Sequence, residues 1–141
     1  MIFDIVLIKK LPIDIEILIQ SFIPIQVLCF LNKKYYIKYH KYVKNWISKK
    51  FYENYLRDMV RRDNEFVFNL LIKEKYKIWF QIKKYRYKNT IYGNYICFID
   101  SFCIENQSTN CRNSLKEFIN KTGLSKNQHK KNTYTNIIWT N

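Results

Sequence analysis

Apolar positions recur at helical spacing along most of the chain. After Asn32, the residues Tyr36, Tyr39, Val43, Trp46 and Ile47 fall on one helical face, and Lys34, Lys38, Lys41 and Asn45 on another. Phe66, Val67, Leu70, Leu71, Ile78 and Ile82 predict a second long helix, with Asp63 as its N-cap. Tyr92, Tyr95, Ile96, Ile99, Phe102 and Cys103 form an i, i+3, i+4, i+7 stripe, and the loop at Asn106 to Thr109 ends it. Cys111, Leu115, Phe118 and Ile119 mark the next helix, with Thr122-Gly123 as its C-cap. Ser125 to Gln128 fits a capping box, which predicts a last helix running toward Trp139. The opening MIFDIVLI could form a strand, but it has no evident partner strand.

Two glycines, Gly93 and Gly123, and two prolines, Pro12 and Pro24, leave few sites for tight hairpins. Asn supplies most of the loop chemistry instead. These patterns predict an all-α protein of five to seven helices. The length of 141 residues suits a single domain (1–141), with a helical region over 51–141. No apolar run is long enough to span a bilayer: Leu11 to Leu31 is broken by Asp14, Glu16, Gln20, Pro24 and Gln26. The N-terminal lysines follow the apolar residues, the wrong order for a signal peptide, so an intracellular protein with no membrane partner is expected.

The net charge of +14 changes the picture only in part. The chain has 20 Lys, 5 Arg, 21 Ile, 15 Asn, 12 Tyr and no Ala, a composition that A/T-rich codons produce without selection for binding. An A/T-rich genome, such as that of a large DNA virus or a protist, is the source this suggests. The clustering says more than the total. Residues 32–50 hold seven Lys and no acid; residues 73–88 hold six Lys, one Arg and one Glu. Lys83, Lys84, Arg86 and Lys88 interleave with Tyr85 and Tyr87. Together with Lys34, Lys38 and Lys41, they could neutralise phosphates, and exposed tyrosines could stack on unpaired bases. This favours a nucleic-acid-binding reading without base specificity, for a virion or nucleoid protein. Against it stands a plain reading, in which 83–88 is a solvated helix end whose tyrosines face the core.

Catalytic chemistry has little support. The chain has no phosphate-binding glycine loop and no metalloprotease signature. His40 lies among tyrosines on an amphipathic helix, and His129 in a polar stretch. Asp58, Asp63 and Glu65 can pair with Arg57, Arg61 and Arg62 across helix turns. Cys97-x5-Cys103-x7-Cys111 fits no compact zinc pattern, and Cys29 stands apart. Reduced, buried thiols, no metal, no cofactor and no enzyme activity are therefore expected.

The stretch LPIDIEILIQSFIP has a pattern of its own. Leu11, Pro12, Asp14, Ile15, Ile19, Ser21, Phe22, Ile23 and Pro24, followed by Val27-Leu28 and Leu31 to Tyr36, resemble the F-box over roughly residues 11–50. The resemblance implies a short three-helix segment and a non-enzymatic protein-interaction role. It also implies a Skp-type adaptor of cullin–RING ubiquitin ligases as partner. The partner-binding residues would be Leu11, Pro12, Ile15, Ile19, Phe22, Ile23, Pro24 and Leu28. Residues 51–141, which would select a target, carry no leucine-rich, WD or kelch repeat.

Overall fold

A computed structural model describes residues 11–122 and the backbone of Thr135–Asn136. The fold is mostly helical, with seven helices among these residues and a small three-stranded antiparallel sheet. The chain divides into two compact units, Met1–Tyr52 and Glu53–Asn141, where its length suggested one domain.

In the first unit, α1 (Ile13–Ser21), α2 (Ile25–Leu31) and α3 (Lys33–Trp46) follow one another with minimal loops. Pro12 and Pro24 sit at the N-caps of α1 and α2, and their carbonyls accept the first helical N–H groups, from Ile15 and Glu16 and from Val27 and Leu28. Asn32 caps α3 by accepting from the Tyr35 amide at 2.9 Å. α2 packs on α3, and Leu28, Cys29, Tyr36 and Val43 form the small buried core. The Tyr35 hydroxyl donates to Gln20, joining α3 to α1.

α4 (Lys49–Arg61) leads into the second unit, which continues as α5 (Glu65–Gln81), β1 (Lys83–Tyr87), β2 (Thr90–Asn94), α6 (Tyr95–Glu105) and α7 (Thr109–Lys121). α6 is buried over Tyr95–Ile99, Phe102 and Cys103. It is packed by α5, α7 and both strands of the hairpin. Six residues of α5 are buried: Val67, Phe68, Leu71, Ile72, Tyr76 and Trp79. This face is turned from the predicted one, and Ile78 is exposed. Burying the largest rings decides the orientation: Trp79 packs on Tyr95 at 5.7 Å and Tyr76 on Phe118 at 4.9 Å.

The hairpin corrects the expectation that residues 83–88 are helical. Tyr85 pairs with Tyr92 and Tyr87 with Thr90, so two residues, Lys88 and Asn89, close the turn. Lys88 has φ 53°, the left-handed value needed at the first loop position of such turns. Tyr92 accordingly belongs to β2, and the helix after it begins at Tyr95. β3, Thr135–Asn136, pairs with β2 through Thr90↔Asn136 and Ile91↔Thr135. The predicted last helix lies otherwise outside the described residues, as do Gly123, His129 and the N-terminal MIFDIVLI; at Thr135–Asn136 the backbone is strand, because the outer edge of β2 offers ladder partners.

The loops after α4 and α6 end those helices in left-handed residues that are not glycine. At the end of α4, the Asp63 amide donates to Val60 and the Asn64 amide to Met59, with Asp63 at φ 47°. At the end of α6, the Gln107 amide donates to Ile104 and the Ser108 amide to Cys103, with Gln107 at φ 57°. These are paired Schellman closures. Asn64, not Asp63, caps α5, accepting from the Val67 amide at 3.2 Å. Asp63 turns the other way and caps α7, where its carboxylate accepts from the Cys111 amide at 2.8 Å and from the Asn110 amide at 3.1 Å.

The Asp63 carboxyl is under opposed influences. Its partial burial favours the neutral acid, but hydrogen bonds from Cys111 and Asn110 outweigh this and hold it below the ordinary carboxylate value of 3.8. Its contribution to stability is therefore present above that pH and is lost as the pH falls through the folded value. Asp63→Asn keeps a side chain that tolerates positive φ but loses the charge and one of the two accepting oxygens, so it should lower stability by about 1 kcal/mol. Urea denaturation at neutral pH should show the loss, and the gap to the unaltered protein should close in acid. A gap that does not depend on pH would count against the cap.

Candidate interaction surfaces

α1 contains five aliphatic residues, Ile13, Ile15, Ile17, Leu18 and Ile19, and buries none of them fully. Their near-alternate spacing puts apolar groups on all sides of the helix, a pattern of helices enclosed by other protein. Ile13 is 64% exposed and Phe22, just past the helix, 78%. Ile25, Val27, Phe30 and Leu31 on α2 and Ile37 on α3 are exposed as well. The first unit thus presents much more apolar surface than scattered single residues would.

The residues expected to bind a partner are not all on this surface. Leu11, Pro12, Ile15, Phe22 and Pro24 are exposed, and Ile19 and Ile23 are half-buried. Leu28 is only 7% exposed and serves the core of the unit. Pattern matching in the sequence passed over Ile13, Ile17, Ile25 and Phe30, whose exposure follows from helix phase rather than from any motif.

The two basic stripes lie in different units. Lys34, Lys38 and Lys41 are exposed on α3, and Lys83, Lys84, Arg86 and Lys88 are exposed on and beside β1. Arg86 alternates with Tyr85 and Tyr87 along β1, and Lys84 stands in left-handed backbone with φ 52°. The Tyr85 ring meets Tyr95 edge-on at 4.6 Å and Phe98 at 4.8 Å. The Tyr87 ring lies 4.8 Å from Phe98, with the Arg57 guanidinium 5.2 Å above it. Both tyrosines are half-buried, with their rings against α6.

The remaining chemistry-bearing groups are used structurally. Asp58 pairs with Arg62 at 2.9 Å, as the helical spacing predicts. Glu65 instead accepts from the Ser114 hydroxyl at 2.9 Å, Arg57 pairs with Glu53 at 3.4 Å, and the Arg61 guanidinium stacks over Phe102 at 5.4 Å. His40 contacts the Ile37 carbonyl through Nδ1 and stacks on Tyr36. All four cysteines are free and buried. Burial pushes the Cys97 thiol up to about 11 and Cys103 up to about 12, and raises Cys111 too, where hydrogen bonding to Asp63 adds to the effect. Such thiols are protonated at neutral pH and are poor nucleophiles and poor metal ligands. Among the described residues no group of three His, Cys, Asp or Glu side chains could hold a metal ion, and no helix is long and apolar enough to cross a membrane. No family model, no curated protein and no solved structure matches this chain.

The Tyr85 hydroxyl donates to Glu53 at 2.9 Å, which ties β1 to α4. Burial and the adjacent Glu53 carboxylate push its pKa from 10.0 up to about 12. A raised value means that the neutral phenol stabilises the fold. The contribution is full below pH 10 and is lost as the pH rises toward 12. Tyr85→Phe should cost about 1 kcal/mol at neutral pH, and the difference from the unaltered protein should shrink across that alkaline window. Denaturation at several pH values checks both.

Proposed function

We propose that this chain is a non-enzymatic helical interaction protein whose first unit docks a protein partner through α1. The observation that carries the reading is α1 itself, an aliphatic helix with no buried residue. Exposed apolar area is unfavourable by about 25 cal/mol per Å² relative to its burial, and a binding surface is the usual reason to keep so much of it. The order of three short helices, with Pro12 and Pro24 opening the first two, is compatible with the F-box resemblance. That resemblance makes a Skp-type ubiquitin-ligase adaptor the first partner to test. The reading carries an intracellular location with it, in the cytoplasm or nucleus of a host if the source is viral.

The 141-residue chain should bind such an adaptor with micromolar or tighter affinity in calorimetry. Ile15→Ser and Phe22→Ser change exposed side chains, so the fold should persist by circular dichroism, while each should weaken binding by about 2 kcal/mol if it is a hot spot. A folded protein that ignores the adaptor at high micromolar concentration would remove the adaptor assignment.

One observation favours a second reading, nucleic-acid binding. On β1 the cations Lys84 and Arg86 alternate with the inward tyrosines, and Lys83 and Lys88 flank them at the two ends. With the tyrosines turned inward, such a face would grip phosphates without stacking on bases. Binding to a random-sequence oligonucleotide should then fall steeply with salt, be alike for single strands and duplexes, and lose much of its salt slope when Lys83, Lys84, Arg86 and Lys88 become Gln. No binding at low salt would leave the charge explained by codon composition.

A further inference from the structure

A groove of about 260 Å³ lies between α2 and α3, lined by Ile25, Gln26, Tyr42 and Trp46. The Tyr42 and Trp46 rings stack at 6.2 Å with planes 22° apart, which makes one wall flat and firm. Ile25 and Tyr42 are exposed at the mouth, and Trp46 is half-buried. Among the described residues of the lining, Gln26 carries the one amide side chain. This volume falls just below the usual range for small-molecule sites and suits one large apolar side chain.

The charge of α3, which forms one wall of the groove, is one-sided. Lys38 stands one turn before Tyr42 on α3, at the i, i+4 spacing that makes helix neighbours. Lys41 and Lys44 are on the same helix, and Lys49 and Lys50 follow it in the chain, in a stretch with no acidic residue. An aromatic groove in a field of that sign is complementary to an acidic ligand.

We propose that the α2–α3 groove binds an acidic peptide segment of a partner protein, which inserts one leucine, methionine or aromatic side chain between Ile25 and the Tyr42–Trp46 wall. This rests on the protein-docking reading of the first unit and adds the chemistry of the ligand. The apolar anchor supplies most of the affinity, and the lysines supply speed of encounter and discrimination. Two observations favour a peptide over a nucleic acid. Val27, Phe30, Leu31 and Ile37 are exposed on the same two helices, and nucleic-acid interfaces are far more polar than that. All five arginines, whose forked side chains grip phosphate best, lie at Arg57 or beyond, outside the first unit.

The test uses the 141-residue chain against a display library of random short peptides. Recovered peptides should be rich in Asp and Glu around one apolar anchor. A synthetic representative should bind more weakly as salt rises. Tyr42→Ser and Ile25→Ser should each reduce its affinity about tenfold or more, with unchanged circular dichroism. Lys38→Gln combined with Lys41→Gln should slow association and flatten the salt dependence. Recovered peptides without acidic character, or affinity indifferent to both groove substitutions, would overturn the proposal. So would a random oligonucleotide or a phosphatidylserine vesicle whose binding is lost in Tyr42→Ser while no peptide is recovered. Adaptor binding is measured in parallel, and Tyr42→Ser should leave it intact. Adaptor binding without acidic peptides overturns the groove proposal alone, whereas loss of both overturns the docking reading beneath it.

Discussion

Helix α6 has almost no side that can face water, and the second unit is arranged to cover it. From Tyr95 to Ile99 every residue is buried, and Phe102 and Cys103 extend the buried surface another turn. Phe98 lies at its centre, with the rings of Tyr85, Tyr87, Tyr92, Tyr95 and Phe102 between 4.8 and 5.5 Å away. Each such pair contributes about 0.5–1.5 kcal/mol beyond the area it buries. An isolated two-stranded hairpin is marginal in water. Here β1 and β2 are held because their inward tyrosines close one side of α6, while α5 and α7 cover others.

Polar joints then keep these layers in register. The Ser108 hydroxyl donates to the Val60 carbonyl at 2.6 Å, Asp63 caps α7, and Glu65 accepts from Ser114. All three link the α4–α5 corner to α7 and the loop before it. A chain with only two glycines places Asp63, Lys84, Lys88 and Gln107 in left-handed backbone at a cost of about 1 kcal/mol each. At Asp63 the same residue offsets that cost by satisfying two amides at the N-terminus of α7. Asn32, Asn64 and Asn94 cap α3, α5 and α6 in the same way, each accepting from the amide three residues on.

The two units use apolar residues for different ends. The second encloses its aromatic rings and leaves its cations outside. The first leaves aliphatic residues of α1 and α2 in solvent and sets an aromatic groove among lysines. Structural work accounts for the carboxylates, thiols and histidine described above, whereas Ile13, Phe22 and Phe30 stand exposed.

Helix content, the scarcity of turns, the loop at Asn106 to Thr109 and the face of α3 were legible in the sequence, because period-3.6 spacing of Tyr36, Val43 and their neighbours needs no knowledge of what lies opposite. The same is true of asparagine as the loop residue, since its side chain caps the helix that follows it locally. The phase of α5 was not legible: Phe66 through Ile82 offers apolar residues on more than one side, and the aromatic partners Tyr95 and Phe118 chose among them. Nor was the hairpin, because Lys83 to Lys88 alternates in a way that fits a strand only if an apolar surface lies beneath it. Asp63 reads as a cap from sequence alone, but the helix it caps begins 46 residues further on, and only tertiary packing brings its amides within reach. Residue spacing along the chain determined where helices form; contacts between distant segments decided which way they face and which polar groups meet.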